Sequence, residues 1–287
     1  MVAAFSDIAH TGPPVALHNE DQELVDCLTE EALAAGHVEP IMHCRTRPPL
    51  AETMADLEIF EIGLAIDAHV HLAHSSAARG FDIAAEHRTI GGKATGEACI
   101  HYLCMTEADV VRLSGRGKCN PPFRIADEVE RMWQGLVDGK VSLVPTDHSP
   151  WTLDHTHDPN IFANGSGLTG LQSFAPLFYI LLDERGLPPT PMTTYAAERS
   201  AKLHGLWPKK GALRIGSDCD LLVLQPADYA FDEATIEDVP EMRWSPYHGR
   251  RMRARVAATV LRARTIWDGR QVFAKPGSGQ FVKRQSA

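Results

Sequence analysis

Four stretches of the chain place residues able to bind a metal ion at or near their ends. His18 lies in ALHNED, His74 in HVHLAHSS and His101 in EACIHYL, while Asp147 and His148 close PTDHSP. Neutral imidazole and carboxylate are the donors that suit zinc and similar first-row metals. A carboxylate in such a cluster can also carry a proton, first as base and then as acid. Taken singly, each residue has a plainer reading. The chain holds 14 histidines, and a lone histidine near a strand end is ordinarily a hydrogen-bonded structural residue. Four polar groups in step with a repeating unit are less easily accidental.

The repeating unit is a strand followed by a helix. Residues 14–20 are a short apolar run, and 21–36 carry Leu24, Cys27, Leu28, Ala32 and Ala35 at helical spacing. Residues 48–66 form a second helical stretch, opened by prolines. A strand is expected over 68–74, a helix over 75–87 and a third strand region over 93–105. A helix over 125–138 and a fourth strand over 141–145 follow. Strands alternating with helices argue for an α/β fold with a parallel sheet. In a parallel barrel the C-terminal strand ends converge on the active site, so groups distant in sequence can face one another there. Residues 167–205 read as largely helical. From Gly211 the character changes: DCDLLVLQP and RVAATVLRARTIWDGRQVF are β-branched and apolar, with a turn at Asp268-Gly269. The polar, Gly-containing last ten residues are expected to fray.

The balance of 28 Lys and Arg against 37 Asp and Glu gives a net charge of −9, which disfavours nucleic acid and anionic membranes as partners. No apolar run reaches the ~20 residues of a membrane helix. The opening MVAAFSDIAHTGPP lacks the basic and apolar regions of a signal peptide, so a cytoplasmic location is expected. Cys27, Cys44, Cys99, Cys104, Cys119 and Cys219 form no CxxC pair and read as reduced thiols rather than a zinc finger. Cys99 and Cys119 read as packing residues, with no base evident beside them. His155 and His157 read as solvated loop residues. No Gly-rich loop follows a strand in the manner of a phosphate-binding site.

Nine strings, in order, resemble the cyclic amidohydrolases: dihydroorotase, allantoinase and the hydantoinase/dihydropyrimidinase group. They are ALHNED, RTRPPLAET, HLAHSSA, GEACIHYL, KCNPPFR, PTDHSP, GLTGLQSF, AERSAKLHGLWPKKGALRIGSDCDLLVL and SPYHGR. The resemblance covers nearly the whole chain. It implies that residues 1–205 are the later four βα units of a TIM (β/α)8 barrel, with extra helices. Residues 206–287 would then be a β-rich segment of a composite sandwich. It implies two divalent metals, zinc or similar, with His18 and His74 on one, and Asp147 on the other and acting as proton shuttle. It places Asn120 and His101 at the substrate, a small cyclic amide. His101 in CxHYL, together with KCNPPFR, leans toward dihydroorotase or allantoinase over hydantoinase. The implied reaction is hydrolysis of a ring amide or imide to an N-carbamoyl acid.

The chain departs from the family pattern at Asn19, where Ala is usual, and at Ile100, where Pro is usual. The family's first-strand His-x-His and its bridging carboxylated Lys cannot be placed before His18. The chain therefore reads as lacking the first half of its barrel, and as a poor catalyst alone unless a partner chain or oligomer supplies the missing strands. A catalytically impaired scaffold or subunit is the rival reading. A competing alignment treats IDAHVHL as the first-strand motif, with His69 and His71 as ligands. The flanking strings argue against it, and strand alternation puts His69 and His71 on the face opposite His74.

Overall fold

The structure is a computed structural model that describes residues 2–285. It divides into two compact units, Met1–Leu171 with Asp232–His248, and Gln172–Phe231 with Gly249–Ala287.

The first unit runs α1 (Val2–Ala9), β1 (Val15–Leu17), α2 (Gln22–Ala34), the short α3 (Met42–Arg45), α4 (Pro49–Ala65) and β2 (His69–Leu72). It continues through α5 (Ala78–Thr89), β3 (Lys93–Gly96), α6 (Glu107–Leu113) and α7 (Ala126–Val137). Local chemistry sets these boundaries. Asp21 caps α2 by accepting the Leu24 N–H at 2.8 Å. Pro49 opens α4, where its missing N–H costs no hydrogen bond. The strands pair in parallel in the order β1-β2-β3, with Val15 opposite Val70 and His71 opposite Thr95.

One face of this sheet is apolar. Val15, Val70, Leu72 and Ala94 pack with Phe5, Ile59, Phe60, Ile83 and Ala84 from the helices. Burying a Val, Leu, Ile or Phe side chain contributes about 1.5–3 kcal/mol. Helix α4 lies close on β2: a Cβ at Gly63 would stand 2.4 Å from Val70 Cγ2. The other face carries His69, His71, Thr95 and Glu97, which bond to one another as described below.

The expected fourth strand is not formed as such. Residues 141–145 run beside β3 in parallel through a single bridge, Glu97 with Leu143. Ser142 N–H donates to Gly96 O at 2.8 Å, Ala98 N–H to Leu143 O at 3.2 Å and Ile100 N–H to Pro145 O at 3.1 Å. Pro145 has no N–H to continue the ladder, and the Gly96 N–H goes to the Ser142 hydroxyl instead. The third strand region is also shorter than expected. It ends at Gly96, and Ile100–Leu103 form a 3-10 turn. Ile100 has a local reason to differ from proline, because its N–H makes the bond to Pro145.

In the second unit, α8 (Phe174–Glu184), α9 (Thr190–Thr193) and α10 (Arg199–Leu203) precede β4 (Leu221–Ala230), β5 (Arg251–Leu261) and β6 (Arg264–Trp267). The strands form an antiparallel sheet in the order β4-β5-β6. Helix α8 belongs with this sheet, since Asp183 pairs with Arg253 and Glu184 with Arg250. The compact units divide after residue 171. Residues 232–248 return to the first unit, where buried Trp244 donates from Nε1 to Trp151 O at 2.7 Å. Among the described residues no helix is long and apolar enough to cross a membrane.

Candidate metal-binding site

His18 follows β1 directly. The next residue, Asn19, is buried and donates from Nδ2 to Asp56 Oδ1 at 3.2 Å. That bond gives Asn19 a task an alanine could not perform. Glu20 then turns back: its carboxylate accepts from His18 Nε2 at 2.9 Å and from Arg47. An ionised carboxylate only accepts, so the bond to Glu20 suits the tautomer with the proton on Nε2, which leaves the Nδ1 lone pair available. Nδ1 faces His74 Nε2 at 3.4 Å.

His74 lies beyond the end of β2 with φ 38°, in the left-handed region. Its N–H donates to Glu97 Oε1 at 3.1 Å. Immediately after it, the Ser76 and Ala77 N–H groups donate to the buried carboxylate of Glu52 at 2.8 and 3.3 Å. Burial, and then the neighbouring His18, hold the His74 imidazole below its ordinary pKa. It is therefore neutral at pH 7, the form that binds metal. Asp147 is also left-handed, at φ 45°. Burial raises its carboxyl, opposed by His74 and reinforced by Glu97.

Glu97 links the two faces of this arrangement. Its second oxygen accepts from His71 Nε2 at 3.1 Å, and Thr95 Oγ1 bonds His71 Nδ1 at 2.8 Å and His69 Nε2 at 2.9 Å. Burial alone would raise the Glu97 carboxyl, but the bond and charge of His71, with His74, hold it below its ordinary range. The strand stops at Leu72 and the left-handed turn at His74 breaks the period, so Glu97 bonds the His71 ring through one oxygen and the His74 main-chain N–H through the other.

His18 and His74 are thus brought together, with Asp147 within electrostatic reach of both. A metal–nitrogen distance of ~2.0–2.1 Å implies about 3.3–3.4 Å between two nitrogens of a tetrahedral site. The 3.4 Å between His18 Nδ1 and His74 Nε2 meets that spacing, and the residues present fit a divalent cation. His101 and Asn120 behave differently. His101 is 1% exposed, packed edge-on to Tyr102 with ring centroids 4.2 Å apart. It lies beside Cys99 and Asp147, the three donor atoms all within 4.8 Å of one another. Asn120 keeps a buried Oδ1 without a hydrogen-bond partner among the described residues. His155 and His157 are exposed, as expected. Sequence reasoning set His71 aside, and it passed over two carboxylates, Glu20 and Glu97. Both could have been found as carboxylates placed, like His18 and Asp147, at strand ends.

Two expected results follow from this geometry. Glu20→Ala should weaken zinc binding by about 10–100-fold, the usual effect of losing a carboxylate that orients a ligand histidine. Titration against a competing chelator measures this, and parental affinity would show that Glu20 does not orient His18. The second result concerns acid. Burial lowers the pKa of both His43 and His101 to about 3; for His43 the bond donated to Cys119 O at 2.8 Å opposes the shift. Each is neutral in the fold but free to bind a proton near pH 6.5 when unfolded. Stability is therefore full above pH 6.5 and is lost as pH falls toward 3, by about 2 kcal/mol per histidine at pH 5. Urea midpoints at pH 7 and pH 5 should differ accordingly, and equal midpoints would contradict it.

No family model matches the chain. It is 34% identical over 286 residues to an allantoinase of Rubrobacter xylanophilus, covering 98% of this chain and 62% of that protein. It is 28% identical to a D-hydantoinase of Rhizobium radiobacter, covering 99% of this chain and 64% of that protein. A solved D-hydantoinase structure superimposes with a TM-score of 0.92 at 25% identity, over 99% of this chain and 63% of the other. The L-hydantoinase (dihydropyrimidinase) from Arthrobacter aurescens gives a TM-score of 0.93 at 24% identity, a likeness of fold. The chain spans about three fifths of the length of these relatives.

Proposed function

The chain belongs to the cyclic amidohydrolases, and on that premise we propose that it hydrolyses the C–N bond of a ring amide or imide at the His18–His74–Asp147 cluster. The observation that carries this reading is the pair of facing nitrogens, His18 Nδ1 and His74 Nε2, 3.4 Å apart, with the half-buried Asp147 carboxyl in electrostatic reach. Identity of 34% to an allantoinase, against 28% to a D-hydantoinase, supports the ureido-substituted ring of allantoin over other hydantoins. A cytosolic setting suits the six free thiols.

When bound, a divalent cation supplies Lewis acidity, polarising the ring carbonyl and making water nucleophilic near neutral pH. His18 and His74 would hold it as neutral ligands. Glu20 fixes the tautomer of one, and Glu97 the backbone of the other. Asp147 takes the proton from the attacking water and returns it to the ring nitrogen as the C–N bond breaks. Its carboxyl is raised by burial, which suits a group that must hold a proton between the two transfers. Water adds across the C–N bond, leaving a carboxylic acid and a freed ureido or amide nitrogen.

The test loads the purified chain with zinc and assays allantoin, hydantoin and dihydroorotate for ring opening, alone and with any chain that co-purifies. Zinc-dependent turnover in either arrangement supports the hydrolase. A chain that takes up no zinc and opens no ring in either supports the scaffold reading. That second reading is favoured by one observation: three donors serve where the family resemblance implies two metals and a bridging lysine.

A further inference from the structure

We propose that Cys99, His101 and Asp147 form a second, thiolate-containing site for a borderline or soft divalent cation such as zinc, cobalt or cadmium. The inference goes beyond the hydrolase reading and stands whether or not the chain opens rings. Cys99 is 0% and His101 1% exposed, and with Asp147 they present sulfur, nitrogen and oxygen donors within 4.8 Å of one another. That donor set is the one zinc accepts, whereas magnesium and calcium take oxygen ligands.

An independent observation points to an occupant. Both ring nitrogens of His101 are buried without a hydrogen-bond partner among the described residues. Leaving a buried polar group unpaired is costly, and an unfilled ion position is one of the few explanations for it. The backbone holds the three donors in place. Cys99 and His101 flank Ile100, whose N–H donates to Pro145 O at 3.1 Å. That bond ties the turn bearing two donors to the segment that ends at the third. Charge closes as well. The divalent cation enters, the Cys99 thiol releases its proton to solvent, and thiolate plus carboxylate neutralise the ion. A net-neutral cluster is the form a site this buried tolerates best. Asp147 has two oxygens, so a bond here leaves one free for the cation between His18 and His74.

The experiment titrates the full chain with cobalt and follows sulfur-to-cobalt charge-transfer absorption in the near ultraviolet. A band saturating at one equivalent, displaced by zinc or cadmium and untouched by magnesium, is the expected result. Cys99→Ser and His101→Ala should remove it. Each should weaken binding there by more than about 100-fold, beyond the ~10–100-fold that loss of an outer partner brings. His18→Ala, His74→Ala and Cys119→Ala should keep the band. The wild-type spectrum needs no substitution, so a misfolded variant cannot hide a negative result. No band in the wild type, a band that survives Cys99→Ser, or a band lost in His74→Ala as fully as in Cys99→Ser would each overturn the proposal.

Discussion

Arg124→Met should destabilise the first unit by about 3–5 kcal/mol, the cost of leaving a buried carboxylate without its partner. That is a large share of the ~5–15 kcal/mol by which folded domains are stable. Arg124 and Glu52 have side chains 5% and 2% exposed, with NH2 to Oε1 at 2.5 Å. Arg124 Nε also donates to Ser76 Oγ at 2.8 Å. Glu52 is the shared acceptor for Ser76 and Ala77 just after His74, so the loss should loosen the site as well as the fold. The exposed pair Arg79–Glu86 is the comparison, and Arg79→Met should move the urea midpoint little. If Arg124→Met moves it no further than Arg79→Met, the buried pair does not hold this unit. Replacing both partners, as Glu52→Leu with Arg124→Met, should recover part of the loss. Recovery stays incomplete because the Ser76 and Ala77 N–H groups remain unpaired.

His18→Ala and His74→Ala should each lower zinc affinity at the His18–His74 position by more than about 100-fold, exceeding the outer-shell effect expected at Glu20. Ring opening should fall to the background rate in whichever assembly shows it. Either change leaves one imidazole where a zinc site with solvent access ordinarily has three protein ligands. Chelator competition on the folded variants reads the affinity, and far-ultraviolet circular dichroism checks the fold. Near-parental zinc affinity in either variant would remove that histidine from the ligand set.

Much of this was legible in the residues themselves. Helices α2, α4, α5 and α7 follow from apolar spacing and from Asp21, Pro48 and Pro49. The strand ends bearing His18, His74 and Asp147 follow from the βα period. What was not legible depends on geometry that a period does not encode. Alternation describes side-chain faces along an unbroken strand, and the chain leaves that strand after Leu72, so the main-chain bond from His74 to Glu97 lies outside what it encodes. The fourth strand was read from the apolar run VSLVP, yet Pro145 and the Ser142 hydroxyl divert its ladder bonds. Glu20 and Glu97 were missed because their roles arise from folding back onto histidines 2 and 23 residues away. Helix α8 is apolar enough for either sheet by sequence, and its ion pairs to Arg250 and Arg253 place it with the antiparallel one.

The left-handed backbone at His74 and Asp147 bears on how the chain can change over generations. A residue with a Cβ pays of order 1 kcal/mol to sit there, more for His than for Asp, and glycine pays nothing. Glycine at either position would relieve the backbone while deleting a donor. Selection for thermal endurance alone would therefore admit the very substitutions that dismantle the cation cluster. Lineages that keep histidine and aspartate at these two turns do so against that drift, and only while the cluster is in use.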